Sequence, residues 1–178
     1  MPDYRRFRVP GGTYFFTVNL LDRRADTLVR HIDALREAVR LTRRERPFHA
    51  DAWVVLPDHM HCVWTLPPGD DDFSNRWKAI KIRVVRAVPQ TEHRSKVRIA
   101  KGERGVWQRR FWEHAIRDDE DYARHVDYEH WNPMKHGLVG RLADWPYSSF
   151  HRYVRFGLLP SDWAGRAPEN FGPKGEPP

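Results

Sequence analysis

An α+β fold, an antiparallel sheet of ferredoxin-like type with helices on one face, is predicted by three observations. Short apolar runs bounded by turn residues alternate with segments of helical period. Their order is strand, helix, strand, strand, helix, strand, helix. The two middle runs are joined by only Pro57-Asp58, a hairpin-length connection. The chain has 178 residues, enough for one domain with a real core and too few for two comfortable ones. One domain over residues 1–164 is therefore expected, with a disordered tail over 165–178, where Gly and Pro are dense.

Gly11-Gly12 opens the first strand, whose run Thr13 to Leu20 is rich in β-branched and aromatic residues and stops at Asp22-Arg23-Arg24. Ile32, Leu35 and Val39 recur at helical spacing among arginines, giving a first amphipathic helix from about Arg30 to Arg46. Phe48 to Leu56 and His59 to Leu66 form the hairpin. Phe73, Trp77, Ile80, Val84 and Val88 mark the apolar stripe of a second helix ending at Pro89, with Arg76, Lys78, Lys81, Arg83 and Arg86 on its polar side. Gln90 to Arg104 has no periodicity and five cations, which fits a flexible basic loop or a long hairpin arm. Val106 to Ile116 reads as a fourth strand. A third helix should start near Asp118, where acids favour a helix N-terminus, and end at Asn132, because Pro133 cannot continue it. A short helical or irregular cap begins at Asp144.

A formal charge of +7 and a pI of about 9.8 imply an anionic partner. Eight Trp, nine Phe and six Tyr interleaved with arginines suit base stacking and phosphate contact, although many of these rings must also build the core. A single cysteine excludes an internal disulfide framework and a cysteine-rich zinc cluster, and fits a reducing compartment. The start lacks the apolar core of a signal peptide and no run is long enough to span a membrane, so a cytoplasmic location without membrane attachment is expected.

His59-Met60-His61 lies on the hairpin's second strand, where alternation puts both imidazoles on one face and Cys62 on the other. Two neutral imidazoles make half of a metal site. Alone, the pair also fits an ordinary half-buried strand. A histidine-triad hydrolase would want a third histidine at Val63, and a zinc deaminase would want Pro-Cys-x-x-Cys. The second constellation is Tyr128-Glu129-His130-Trp131-Asn132-Pro133, in which Tyr128 and Asn132 share a helix face one turn apart. Asn132 as third ligand would give a mixed oxygen and nitrogen site, favouring Mg²⁺ or Mn²⁺ over structural zinc. Without such a site, Tyr128 would be a core tyrosine and Asn132 a helix-end residue. With it, the phenol could attack a polarised phosphate and store the phosphodiester bond as a tyrosine adduct.

Leu56-Pro57-Asp58-His59-Met60-His61, Trp107 to His114, Tyr128 to Gly137 and Trp145-Pro146-Tyr147-Ser148-Ser149 together resemble the REP-associated tyrosine transposases, a branch of the HUH single-strand transposases. The resemblance runs from about Tyr4 to Trp163 and leaves out Gln90 to Arg104 and the tail. It implies an HUH-type domain and a divalent-metal enzyme that cleaves and rejoins single-stranded DNA at repetitive palindromic hairpins. It further implies Tyr128 as nucleophile, His59 and His61 as metal ligands and Asn132 at the third ligand position. Monomers and dimers are both compatible with it. Arg5, Arg6 and Arg8, mixed with rings, are expected to contact bases or phosphates near the hairpin foot, and Lys78 and Lys81 to contact DNA from the basic helix. A hairpin-binding regulator without turnover, or a phosphodiesterase using activated water, would share the fold. Only the second of these would act without needing Tyr128.

Overall fold

The computed structural model describes residues 7–165; Arg5, Arg6 and residues 166–178 lie outside them. Strands β1 (Thr13–Asn19), β2 (His49–Val55), β3 (His59–Thr65) and β4 (Trp112–Ala115) form one antiparallel sheet in the order β2-β3-β1-β4. The helices are α1 (Thr27–Arg30), α2 (Ile32–Glu45), α3 (Phe73–Ala87), α4 (Lys96–Ala100), α5 (Asp119–Lys135) and α6 (Phe150–Arg155). The predicted α+β class holds, and the histidine strand is central.

Both faces of the sheet are covered, which amends the expectation of helices on one face only. Tyr14, Phe16 and Val18 stand opposite Trp64, Cys62 and Met60 and pack with Leu35 and Ala38 of α2 and with Trp77, Ile80 and Val84 of α3. Phe15, Thr17 and Asn19 stand opposite Val63, His61 and His59 on the other face, where α5 brings Val126 and Tyr128. Strands buried on both faces read as continuous apolar runs rather than alternating ones, so their sequence does not show that a second face is covered. The α2/α3 side is dominated by rings: Trp64 stacks on Trp77 at 4.3 Å and on Phe48 at 4.0 Å between centroids. Each such pair adds about 0.5–1.5 kcal/mol beyond area burial.

Four local expectations change. The first helix is broken at His31 (φ −116°, ψ 39°), separating the one-turn α1 from α2. The basic stretch contains α4, capped by Ser95, and is pinned by Arg104, which pairs with Glu92 at 2.7 Å and donates to the carbonyls of Val85, Val88 and Pro89. The fourth strand shrinks to Trp112–Ala115, with an isolated bridge from Leu20 to Trp107, because Arg109 and Arg110 turn out to solvent between the two. Finally, α5 continues through Pro133 to Lys135. Proline removes one donor, but this close to the helix end the cost is small: the chain leaves the helix at Gly137 (φ +66°), whose N–H donates to the Met134 carbonyl while that of Leu138 donates to Pro133. Asp118 caps the other end by accepting from the Asp121 N–H at 2.8 Å, as its acidic first turn suggests.

The cap expected from Asp144 consists of a 3₁₀ turn (Leu142–Asp144) and α6. Between them the chain runs beside edge strand β2, with Val55 N–H donating to the Tyr147 carbonyl at 2.8 Å and Ser149 N–H to the Trp53 carbonyl at 2.7 Å. The edge is thereby closed against pairing with another strand. Among the described residues no helix is long and apolar enough to cross a membrane.

Candidate active site

The pleat of β3 turns His59 and His61 to the α5 face, and the helical period of α5 returns Tyr128 and Asn132 to the same place. Ring centroids of His59 and His61 are 5.1 Å apart, and that of Tyr128 is 5.4 Å from His61. His59, His61, Tyr128 and Asn132 are all buried.

Each imidazole is held by Nδ1. His59 Nδ1 lies 2.7 Å from Asp58 Oδ1, and His61 Nδ1 lies 2.9 Å from Thr17 Oγ1, directly across the β1–β3 pair. An ionised carboxylate only accepts, so His59 carries its proton on Nδ1 and turns a lone pair outward on Nε2. Burial tends to raise the Asp58 carboxyl, but His59 and Arg23 outweigh it and keep it below the usual carboxylate range. Arg23 pairs with Asp58 at 2.8 Å and also donates to Asn19, tying the strand end together. Burial, seconded by His59 and Lys135, pushes His61 well below the ordinary imidazole value, so the ring is neutral, the form that ligates.

His59 Nε2, His61 Nε2 and Asn132 Oδ1 are buried and have no hydrogen-bond partner. Orphaned buried polar atoms are uncommon and costly, about 1–3 kcal/mol each, and here three occur in one place. Asn132 spends its amide N–H on the Tyr128 carbonyl at 3.2 Å, which leaves its oxygen as the free atom. Two imidazole nitrogens and a carboxamide oxygen are a suitable donor set for a divalent cation with open positions. The predicted metal trio therefore fits its ion on the residues present.

A second group, His114, Asp121 and His125, also brings donor atoms within 4.8 Å of one another. Its carboxylate is already spent, accepting from His114 at 2.8 Å, from the Arg117 backbone at 3.0 Å and side chain at 3.2 Å, and from Arg124 at 3.4 Å. These cations and donors hold the Asp121 carboxyl far below its ordinary value against the opposing effect of burial. An ion there would have to displace two guanidinium groups, whereas the trio around His59 displaces nothing.

Two further groups reach the site. Lys135 Nζ donates to the Tyr128 hydroxyl at 2.9 Å and sits 4.9 Å from the centre of its ring, and the exposed His136 ring is 5.0 Å from His59. Lys135 follows Tyr128 by seven residues and Asn132 by three, both spacings that keep one helix face. That signal was present in the sequence and was hidden by ending the helix before Pro133.

The expected DNA contacts are placed elsewhere. Lys78 and Lys81 lie on α3, across the sheet from Tyr128; Lys78 is exposed, and Lys81 donates to the Gln108 carbonyl at 2.9 Å. Arg8 is exposed, pairs with Asp71 at 3.1 Å and lies over the Phe73 ring. Arg76 is structural, buried with its guanidinium 2.7 Å from Asp70.

No model of a known protein family matches the chain. It is 52% identical over 165 residues to the REP-associated tyrosine transposase of Escherichia coli K12, spanning 93% of this chain and 92% of that one. A Haemophilus influenzae protein carrying the same name in provisional form is 45% identical over 170 residues, 93% and 94% of the two chains. A solved structure of a REP-associated tyrosine transposase bound to a REP hairpin superimposes with a TM-score of 0.81 at 52% identity, covering 93% of both chains. Identity at this level over nearly the whole length, with the same fold, makes this chain a member of the REP-associated tyrosine transposases, an enzyme of that transposase family.

Proposed function

We propose that this transposase cleaves and rejoins single-stranded DNA beside a REP-type hairpin, through a 5′-phosphotyrosine on Tyr128 and with Mg²⁺ or Mn²⁺ held by His59, His61 and Asn132. The observation that carries the reading is the gathering of three orphaned buried donor atoms beside a tyrosine whose hydroxyl already meets an ammonium group. A relative seen bound to a REP hairpin supports the substrate class.

A phenol at its ordinary pKa of about 10 is a weak nucleophile at neutral pH and needs a nearby cation or base. Lys135 supplies the cation. As the Tyr128 oxygen bonds to phosphorus and the P–O3′ bond breaks, the phenolic proton is lost and a free 3′ hydroxyl leaves. The 5′ phosphate stays on the tyrosine, so attack by another 3′ hydroxyl reverses the step without ATP. A bound divalent ion polarises the scissile phosphate and offsets the charge that builds in the transition state. Asp58 and Thr17 keep the imidazoles oriented. Lys135 and His136, exposed at the end of α5, stand where the DNA must enter to reach the buried phenol.

Binding away from the reacting bond is assigned to Arg5, Arg6 and Arg8 and to the groove that Lys78 and Lys81 line with Arg86, Arg98 and Arg109, where cations outnumber acids. A single buried cysteine fits the expected cytoplasmic location.

The test incubates the protein with labelled single-stranded hairpins and Mn²⁺ or Mg²⁺ and looks for a covalent protein–DNA adduct on a denaturing gel. The adduct should require metal and vanish in Tyr128→Phe. Cleavage that survives the substitution would replace this reading with a water-activating phosphodiesterase, and tight binding without cleavage or adduct would replace it with a regulator.

A further inference from the structure

The closing segment along β2 has a second consequence. Between Tyr147 and the outer face of α2 lies a cavity of about 340 Å³ at the sheet edge, on the face away from Tyr128. Its α2 wall carries Arg36, Arg40 and Arg43 at intervals of four and three, one row on one helix face. Its other wall brings the rings of Trp53 and Tyr147, and Leu35 and Val39 make an apolar floor. The strand-transfer chemistry uses none of these residues.

We propose that this cavity is a second DNA site that takes one unstacked nucleotide of the single strand flanking the hairpin, its base against Trp53 and Tyr147 and its phosphate on the Arg36 and Arg40 guanidinium groups. The proposal rests on the reading that this chain handles single-stranded DNA. Rings beside a row of cations match a base and its phosphate, the pairing by which single strands are held without reading their sequence. The volume falls at the lower end for ligand pockets, about 300–1,000 Å³, so one nucleotide fits better than a stem.

The arginines are free to exchange partners. Arg36 meets Asp33 at 3.4 Å and Arg40 meets Glu37 at 2.6 Å, both exposed pairs within one helix turn, of the kind that contributes little to folding. Arg43 is set apart from them, since its Nε donates to the Phe48 carbonyl at 3.1 Å. The segment also links the two sites: Ser149, at the cavity, has its Oγ 2.9 Å from His130 Nε2 on the helix that carries Tyr128. A strand leaving Tyr128 would reach the cavity by turning round the β2 edge.

Photocrosslinking of the full-length protein tests this. Hairpins with single-stranded flanks carry 5-iododeoxyuridine at one flank position at a time, and crosslinked peptides are mapped by mass spectrometry. At one or two positions the crosslink should fall on Trp53 or Tyr147, and it should be lost in the Arg36→Glu, Arg40→Glu double variant and in Tyr147→Ala. The double variant should bind the flanked hairpin at least about tenfold more weakly, with a shallower salt dependence, and a blunt hairpin as wild type does. Crosslinks confined to other peptides while the Tyr128 adduct forms normally would overturn the proposal and leave the strand-transfer reading standing. So would displacement of nothing by DNA from a cavity that an acidic peptide occupies. Crosslinks at Trp53 or Tyr147 without any Tyr128 adduct would uphold the cavity and overturn the strand-transfer reading instead.

Discussion

Lys135 and Asn132 share one face of α5 beside the same phenol, yet their losses should look different. Asn132 offers a buried oxygen to the metal, whereas Lys135 touches only the tyrosine among the three reacting partners described. Asn132→Ala should weaken Mn²⁺ binding, measured by calorimetry, and its adduct rate should recover as Mn²⁺ is raised. Lys135→Met should bind Mn²⁺ as wild type does and still form adduct about 10²–10³-fold more slowly at saturating metal, the usual effect of removing one group that stabilises transition-state charge. A Lys135→Met protein that regained its rate with added Mn²⁺ would show that the ammonium group acts on the metal site and not on the phenol.

The end of α5 is where element and site meet. Gly137 at φ +66° closes the helix in the left-handed region, with nothing near the position a Cβ would take, so the cost of a side chain there is conformational and not steric. Gly137→Ala should therefore lower stability by about 1 kcal/mol, read from urea denaturation. A stability equal to wild type would mean that the backbone at this turn can relax to negative φ. The same helix end shows what was legible in the sequence. His59 and His61 on one face, Cys62 on the other, and Tyr128 one turn before Asn132 all follow from the periods of strand and helix, and the structure keeps them. Lys135 was lost because proline was taken as a full stop, although near a C-terminus only one backbone bond is forfeited. Thr17 and Arg23 could not have been found, since they act through strand pairing that joins residues 44 and 36 positions apart. The second helical layer was missed because strands apolar on both faces carry no period to reveal it.

At the scale of the molecule, the packing of α5 against the sheet leaves a carboxyl in the interior. Glu129 is fully buried, neither oxygen has a hydrogen-bond partner, and burial with a smaller contribution from Asp51 raises its pKa well above the ordinary value. Its neighbour His130 is moved the other way, to about 3, mainly by burial and secondarily by Arg152. The two give opposite slopes to stability against pH. Below about pH 6.5 the unfolded chain takes up a proton at His130 that the folded chain refuses, so stability falls as pH falls. Above about pH 4.3 the unfolded chain releases a proton from Glu129 that the folded chain retains, so stability falls as pH rises, by up to about 1.4 kcal/mol per unit until the folded carboxyl itself ionises. Comparing Glu129→Gln with wild type removes every titration the two proteins share, including that of His130. The variant's stability relative to wild type should thus be flat below about pH 4.3 and should grow steadily from there towards neutrality, seen in urea midpoints at several pH values. A difference that stayed constant from pH 4 to 7.5 would show that Glu129 ionises alike in the folded and unfolded chains, and that water or a cation reaches it inside the fold.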